Sequence, residues 1–305
     1  MNSALSPSGL LHKISFAAIA KEKDVYLCDI YELQTQSGTI KLAYPDNFQL
    51  ANNFSALVFG GINYNADNID QEIWQYLEGT KLEATTISEI LQGNNINVNL
   101  FTGDNSKEEK IKELGGKTDI IHIATHGFFF PDPQEQLEAF HSEIKENIIF
   151  RGSNLSGARG FGVWQYLKNQ NPLMRSGLTF SGANRVWAEP FAGTDNDGVL
   201  TAQEVVNIDL RNTGLVVLSA CETGLGEIRG SEGVYGLQRA FKMAGVNYII
   251  MSLWQVPDKE TEEFMISFYS ELIKSNDIKK SFNLTQKKMR AKYDPYFWAA
   301  FVLLE

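Results

Sequence analysis

The stretch Leu215–Gly224, LVVLSACETG, decides the expected fold, because a short apolar strand delivers Cys221 directly into a glycine turn. A second stretch of the same kind, Ile120–Gly127, reads IIHIATHG and brings His126 to the end of a strand. In an open parallel sheet the carboxyl ends of the strands lie at one edge, where ligands and catalytic groups gather. We therefore expect the histidine and the cysteine to meet across neighbouring strands, as a general base and its nucleophile do.

Burial is the competing interpretation of Cys221, since free cysteines are most often small, inert hydrophobic residues. The pairing with His126 favours catalysis instead. Each of the two residues follows an apolar run and precedes a glycine, which allows close approach of the backbone and leaves amide groups available beside the side chain. Together the two stretches predict a nucleophilic enzyme of the Cys–His type.

Composition and charge narrow the class of protein. The 305 residues are 43% hydrophobic and 21% charged, enough for a large core in one or two domains. A net charge of −10 without a Lys/Arg stripe argues against nucleic-acid binding. Two cysteines, Cys28 and Cys221, are too few for a disulfide framework and favour a reducing, cytoplasmic compartment. We expect no metal and no cofactor. We also expect no membrane segment, since no apolar run approaches the roughly 18 residues needed.

Strand and helix patterns alternate from about residue 54, which predicts an α/β sheet. Besides the strand that leads to Cys221, the predicted strands are 55–61, 97–101, 119–124, 176–181 and 247–254. The predicted helices are 69–93, 106–114, a short one from 201, 231–244, 258–274 and 277–291, those at 106 and 201 starting with capping boxes. Residues 1–50 are expected to form a strand-rich subregion, with short strands at 10–20, 25–33 and 39–43, against a catalytic core of residues 51–305.

A long insertion, about 128–175, interrupts the alternation. It contains prolines, a glycine-rich patch and six aromatic residues, too many for a purely solvated linker. Loops of this length are usually functional or disordered, so we interpret it as an active-site insertion rather than a separate domain. Because it directly follows His126, we predict that it gates the site.

The glycine turn extends into a longer motif that carries a family resemblance. Residues 218–226, LSACETGLG, are followed by 230–241, GSEGVYGLQRAF, and by the sequence Ser252–Leu253–Trp254. This pattern resembles the CHAT family of caspase-related cysteine peptidases. Residues 122–127 resemble the histidine motif of that family, and the two ends of the chain, 6–18 and 298–303, resemble its opening segment and its closing strand. The insertion after Gly127 matches no family motif.

The resemblance implies a caspase-like three-layer α/β sandwich with a central, mostly parallel sheet. It also implies hydrolysis of a protein substrate by a dyad in which Cys221 is the nucleophile and His126 the general base. The backbone N–H groups of Gly127 and Cys221 would form the oxyanion hole. Family members often carry helical repeats upstream, which implies a regulatory helical-repeat or effector partner. The resemblance as a whole implies a role in bacterial defence or signalling.

Several other residues allow two interpretations. His122 lies deeper in its strand and is better explained as a core histidine than as a catalytic one. Glu222 either tunes the nucleophile or points to solvent. Asp258 resembles the acidic residue that faces a substrate arginine in related peptidases such as separases, which predicts cleavage after a basic residue. The alternative is that Asp258 caps the helix starting there. Cys28 is expected to be a small, buried core residue without a chemical role.

Two rival functions belong to other classes. Gly224, Gly226 and Gly230 superficially resemble a dinucleotide-binding loop, but their spacing is G-x-G-x-x-x-G and no Gly-Lys-Ser/Thr occurs. A catalytically silent caspase-like scaffold or signalling module is the second rival. The presence of both dyad residues disfavours it.

Overall fold

A computed structural model describes residues 2–7, 9–38, 48–70, 72–130, 149–150, 153–154, 164–189, 196–219, 227–228 and 234–305. Its two larger sheets contain, in chain order, β1 (Asn2–Leu5), β2 (Glu32–Thr35), β3 (Ser55–Ile62), β4 (Asn97–Gly103), β5 (Ile120–Ala124), β6 (Gly127–Phe129), β7 (Ser176–Thr179), β8 (Val199–Thr201), β9 (Leu215–Ser219), β10 (Tyr248–Ser252) and β11 (Phe301–Leu304). Three short ribbons pair Ala20–Glu22 with Val25–Tyr26, Ile149–Phe150 with Ser153–Asn154, and Glu227–Ile228 with Val234–Tyr235.

Helices pack on both sides of the main sheet. They are α1 (Leu27–Ile30), α2 (Glu78–Gln92), α3 (Glu109–Leu114), α4 (Trp164–Leu167), α5 (Ala183–Ala188), α6 (Ala202–Val206), α7 (Leu237–Met243), α8 (Asp258–Ser275), α9 (Ile278–Arg290) and α10 (Pro295–Trp298). Single 3₁₀ turns cover Gly9–Lys13, Phe16–Ala18, Gly115–Lys117 and Pro172–Met174.

The main sheet has the strand order β1-β2-β11-β10-β9-β5-β3-β4. Every neighbouring pair in it is parallel except β10 with β11. The chain passes from β3 outward to β4 and then returns to β5 on the other side of β3. This reversal creates a crevice between the carboxyl ends of β3 and β5, the place where open α/β sheets bind ligands. The predicted mixed α/β sandwich with a mostly parallel sheet is confirmed.

The central strands are apolar on both faces because helices cover both. Along β5, Ile121 and Ile123 point into a core shared with α5, α6 and α7. Ile120 points into the opposite core, which is built from α2, α8 and α9. Alternating side chains on one strand therefore supply two layers of core, as expected of a sheet buried on both sides.

Most predicted strands and the helices after residue 250 are confirmed, but several elements differ. Residues 176–179 belong to a separate antiparallel sheet with the order β8-β7-β6, not to the main sheet. The predicted strand at 10–20 is wrong, since its first part forms two 3₁₀ turns. At 231–244 the helix spans only Leu237–Met243, after the Val234–Tyr235 strand; residues 231–233 lie outside the described part. The predicted strand at 39–43 and most of the 128–175 insertion also lie outside it.

Helix starts were predicted with mixed success. The capping box of Thr201 with Glu204 is present, with both reciprocal hydrogen bonds formed. The box expected between Ser106 and Glu109 is not formed, because α3 begins only at Glu109 and its N-cap residue is Glu108. The predicted helix at 69–93 begins only at Glu78.

Among the described residues, no helix combines the length and apolarity required to cross a membrane.

Candidate active site

His126 lies just beyond the carboxyl end of β5 and is fully buried. In the adjacent strand, Ser219 of β9 pairs in register with Ala124 of β5. His126 and Cys221 each follow this matched pair by two residues. Cys221 and its neighbour Glu222 lie outside the described residues, so the structure describes the histidine side of the predicted dyad and the strand that leads to the cysteine.

A backbone carbonyl orients the His126 ring. Nε2 lies 2.8 Å from the carbonyl oxygen of Gln75, in the connection between β3 and α2. A carbonyl can only accept, so Nε2 carries the hydrogen, and in the neutral ring Nδ1 is then the basic nitrogen. The ring is enclosed by Tyr64 and Trp74, with centroid separations of 4.9 and 5.1 Å. A base held by a third group in this way is the arrangement expected for nucleophilic catalysis.

The backbone around His126 is tied to the small antiparallel sheet. Thr179 of β7 donates its N–H to the His126 carbonyl at 3.1 Å. The Thr125 hydroxyl donates to the Thr179 carbonyl at 2.5 Å, and the Tyr64 hydroxyl lies 3.0 Å from the same Thr125 oxygen. These buried hydrogen bonds fix the turn between β5 and β6, where the side chain of His126 leaves the sheet.

Gly127 presents its backbone N–H to the open edge of β6. The bonds from Thr179 N–H to His126 O and from Phe130 N–H to Arg175 O mark the hydrogen-bonded pairs of the β6–β7 ladder. Gly127 pairs with Leu178, directly next to the hydrogen-bonded pair of His126 and Thr179. Hydrogen-bonded and non-hydrogen-bonded pairs alternate along an antiparallel ladder, so Gly127 and Leu178 form a non-hydrogen-bonded pair. Its N–H therefore points away from β7, and among the described strands β6 has no second neighbour.

Asp258 is the first residue of α8 and is partly exposed. The N-cap residue is Pro257, so the interpretation of Asp258 as the cap is wrong, although its charge still suits the first turn of a helix. A methyl group added at Gly79 would lie 3.1 Å from the Asp258 Cβ, so the first turns of α2 and α8 pack together. Asp258 thus lies at the same edge of the sheet as His126, beside the segment that provides Gln75.

His122 points away from this site. Its Nε2 lies 3.0 Å from Glu83 Oε1, and its ring packs 5.5 Å from that of Tyr269, all within the core on the α2 and α8 side. This agrees with the prediction of a core histidine. Cys28, predicted to be buried, is partly buried against the same core, with its sulfur 3.7 Å from an Arg290 nitrogen. Partial burial raises the pKa of the Cys28 thiol.

Sequence reasoning missed the groups that hold His126. Tyr64, Trp74 and the Gln75 carbonyl come from a segment partly predicted as helix, and Thr179 from a strand assigned to the wrong sheet. A backbone carbonyl leaves no mark in side-chain identity. Within the described part of the chain, no group of three or more His, Cys, Asp or Glu side chains could hold a metal ion.

The sequence profile of the CHAT domain matches residues 4–305. The chain belongs to the CHAT domain family. Two curated relatives of this CHAT domain are tetratricopeptide repeat protein 28 from mouse, 24% identical over 254 residues, and from human, 23% identical over 284 residues. The matches cover 82% and 90% of the chain but 9% and 10% of the relatives, so the chain spans about a tenth of their length.

A solved structure shares the fold. The crystal structure of the Saccharomyces cerevisiae separase–securin complex aligns over 100% of the chain and 15% of the matched chain, with a TM-score of 0.54 and 12% identity. At this identity the likeness shows the fold alone. The CHAT domain therefore has a caspase-like fold, in agreement with the strand order and the layered helices described above.

Proposed function

We propose that this CHAT domain is a cysteine endopeptidase that acts through His126 and Cys221. The observation that carries the proposal is the His126 ring, held by the Gln75 carbonyl so that Nδ1 is the basic nitrogen at the carboxyl edge of β5. The register of Ser219 with Ala124 supports a short distance between the two motif residues. Family membership and the caspase-like fold support the same reaction class.

In the proposed reaction, His126 Nδ1 takes the proton from the Cys221 thiol, and the thiolate attacks the carbonyl carbon of the scissile peptide bond. Collapse of the tetrahedral intermediate breaks the C–N bond, and the amine leaves with the proton from Nδ1. Water, deprotonated by the same nitrogen, then hydrolyses the thioester. The Gln75 carbonyl accepts from Nε2–H in both the neutral and the protonated ring, so it can hold the ring through every step.

Gly127 supports this mechanism through its backbone. Its N–H points to the open edge of β6, directly after the catalytic histidine in the chain. We assign it, with the N–H of Cys221, to the oxyanion that develops on the attacked carbonyl. Loss of one such donor typically lowers kcat by about 10²–10³-fold.

Cleavage of a peptide library by the purified chain tests the dyad. We expect Cys221→Ala and His126→Ala each to lower kcat/KM by at least about 10³-fold, with native circular dichroism. Cys28→Ala is the matched control, because it removes the other cysteine, and should keep activity. Substantial turnover by Cys221→Ala contradicts the proposal, and so does a wild-type protein that cleaves nothing with or without its partners.

We also propose that cleavage follows a basic residue, with Asp258 as the acidic group that receives it. The position of Asp258 beside Gly79, at the same edge as His126, supports this. A carboxylate at this position can accept charge-assisted hydrogen bonds from an arginine or lysine side chain, which neutral side chains cannot donate. Glu222, outside the described residues, is a second acidic candidate for substrate binding. A library profile in which Met, Leu or Asp is preferred before the cleaved bond contradicts the assignment.

A regulatory helical-repeat partner is part of the same proposal. The curated relatives are named for tetratricopeptide repeats, and the chain spans about a tenth of them. A repeat module could therefore control access to the site. Activity of the isolated chain that equals its activity in the presence of such a module would contradict regulation.

A further inference from the structure

The connection between β3 and α2 is not helical where a helix was predicted, and one side chain explains why. Asn184, in the first turn of α5, is fully buried and accepts with Oδ1 from the N–H groups of Ile73, at 3.1 Å, and Trp74, at 2.6 Å. Its Nδ2 donates to the Trp74 carbonyl at 3.1 Å. These backbone groups would otherwise be available for helical hydrogen bonds, so the amide of Asn184 takes the place of a turn of helix.

Asn184 also holds the other end of the same connection. Its backbone N–H donates to the Tyr64 carbonyl at 3.0 Å. One residue, 110 positions away from Trp74 in the chain, therefore makes four hydrogen bonds to this connection. Three of them go to Tyr64 and Trp74, the two residues whose rings enclose His126. The neighbour of Trp74 is Gln75, whose carbonyl accepts from His126 Nε2 at 2.8 Å.

We propose that Asn184 is a positioning residue for His126. It fixes the backbone of Ile73 and Trp74 so that the Gln75 carbonyl faces Nε2, which selects the ring tautomer with the hydrogen on Nε2 and leaves Nδ1 to act as the base. The proposed effect on the tautomer of the His126 ring follows from these hydrogen bonds alone. The effect on catalysis rests on the proposed peptidase function.

An amide is required here because it offers both an acceptor and a donor. The Oδ1 lone pairs satisfy two N–H groups and Nδ2 satisfies the carbonyl of one of the same residues. Aspartate keeps the two acceptor bonds but places an oxygen against the Trp74 carbonyl. Alanine leaves two buried N–H donors and one buried carbonyl acceptor without their partner. The connection between β3 and α2 can shift to find other partners for these groups, and the Gln75 carbonyl then moves with it.

The test measures the His126 ring directly. In protein labelled with ¹⁵N-histidine, long-range proton–nitrogen correlation distinguishes the two tautomers of each of the four histidines, and the His126→Ala spectrum assigns the signals. In wild type we expect His126 almost wholly as the Nε2–H form. Asn184→Ala should give a mixture of tautomers and lower kcat/KM by about 10–100-fold, the scale of a 1 Å misplacement. Asn184→Asp, with two of three side-chain bonds, should retain most of the Nε2–H form.

Asn276→Gly is the matched control. Asn276 ties another loop through its side chain, donating to the Leu50 carbonyl at 2.9 Å, but lies at the opposite end of α8 from Asp258. Its positive φ of 50° suits glycine, so only the side-chain bonds are lost. We expect the His126 signals and kcat/KM of this variant to match wild type.

The outcomes separate the two proposals. Unchanged His126 tautomers in Asn184→Ala overturn the positioning role, whatever the protein cleaves. If Asn184→Ala does not fold, the test uses Asn184→Asp. A His126 tautomer population identical to that of wild type, together with a hundredfold loss of kcat/KM, overturns the positioning role of Asn184. A changed ring in a protein that cleaves no peptide supports the positioning role and contradicts the peptidase instead.

Discussion

At the scale of single residues, the group that orients His126 is the backbone carbonyl of Gln75. The Gln75 side chain itself is exposed. A carbonyl keeps accepting whether the ring is neutral or protonated, and it adds no negative charge that would hold the proton on the imidazolium. His126 held in this way can take up a proton and then give it to the leaving amine, as the proposed reaction requires.

The charge of Asp258 is predicted to determine which residue precedes the cleaved bond. Asp258→Asn should lower kcat/KM for substrates with Arg or Lys before the cleaved bond by about tenfold or more, because the cation of the substrate loses the carboxylate charge that pairs with it. Cleavage after neutral residues should change little. Glu260→Gln, in the same first turn of α8, is the control. Parallel assays compare the two variants on peptides that differ only in the residue before the cleaved bond. An undiminished preference for basic residues in Asp258→Asn contradicts the role of Asp258 in binding the basic side chain.

His126 was predictable because its signal is local: an apolar strand followed by a glycine. Asn184 was not, since its partners lie 110 residues away and nothing near it in the sequence marks it. Its type alone, an asparagine two residues after a glycine, is typical of a loop. Cys221 remains a prediction, because it lies outside the described residues.

At the scale of elements, β3 and α2 lie unusually close together. A methyl group at Gly60 would overlap the carbonyl oxygen of Thr80 and lie 2.7 Å from the Ala84 Cβ. Gly61, with φ of +57°, donates its N–H to the Thr80 hydroxyl at 3.0 Å. Both glycines at the end of β3 thus allow α2 to pack closely, since a methyl group at Gly61 would lie 2.7 Å from the Lys81 Cβ, and Gly61 also adopts a left-handed backbone.

Gly60→Ala should therefore destabilise the fold by about 1–3 kcal/mol, because the first two turns of α2 must move away from the sheet. Chemical denaturation measures this. Gly38→Ala, at a position where an added methyl group meets nothing within 4 Å, should change stability by less than about 0.5 kcal/mol. Equal stabilities for the two variants would show that the β3–α2 contact is not tight.

Element types were well predicted where the apolar pattern was regular, as in α8 and β5. The helix predicted at 69–93 failed in its first third. There Ile73 and Trp74 have an apolar spacing that fits a helix, yet both are buried against α5 and their backbone groups bond to Asn184. Tertiary hydrogen bonds overrode the local pattern, which periodicity cannot anticipate.

At the scale of the whole molecule, one buried carboxyl makes stability depend on pH. The Glu108 side chain is fully buried, and this burial raises its pKa to about 8, despite the 2.9 Å contact of its Oε1 with Lys112 Nζ. Burial likewise raises the pKa of the nearby Asp197 to about 6. The folded state keeps these protons to higher pH than the unfolded chain does. Unfolding therefore becomes easier as pH rises from about 4.5 to 8.

Glu108→Gln should remove much of that dependence. At pH 8 the variant should be more stable than wild type by about 1–3 kcal/mol, and at pH 4.5 the two should be nearly equal. Urea titrations at several pH values provide the measurement. Glu113→Gln, on the exposed face of the same helix, is the control. A difference in stability between Glu108→Gln and wild type that stays constant with pH contradicts this role of Glu108.

The strand order of the whole sheet was not predicted, since the family resemblance implied only a central, mostly parallel sheet. Alternating patterns indicated an α/β class, but neither β1 nor β2 was predicted at the edge of the main sheet. Their pairing depends on contacts between residues far apart in the chain, such as Thr35 with Leu304. Local patterns do not encode such pairings.

The reactivity of Cys221 toward iodoacetamide, read out by peptide mapping, tests the proposed dyad of Cys221 and His126 most directly. Cys28 serves as the internal reference, because burial raises the pKa of its thiol. A cysteine activated by His126 is partly thiolate below neutral pH. We expect Cys221 to react at least about tenfold faster than Cys28 at pH 6, and to lose that advantage in His126→Ala. Equal rates in wild type, or a Cys221 rate indifferent to His126→Ala, would contradict the dyad.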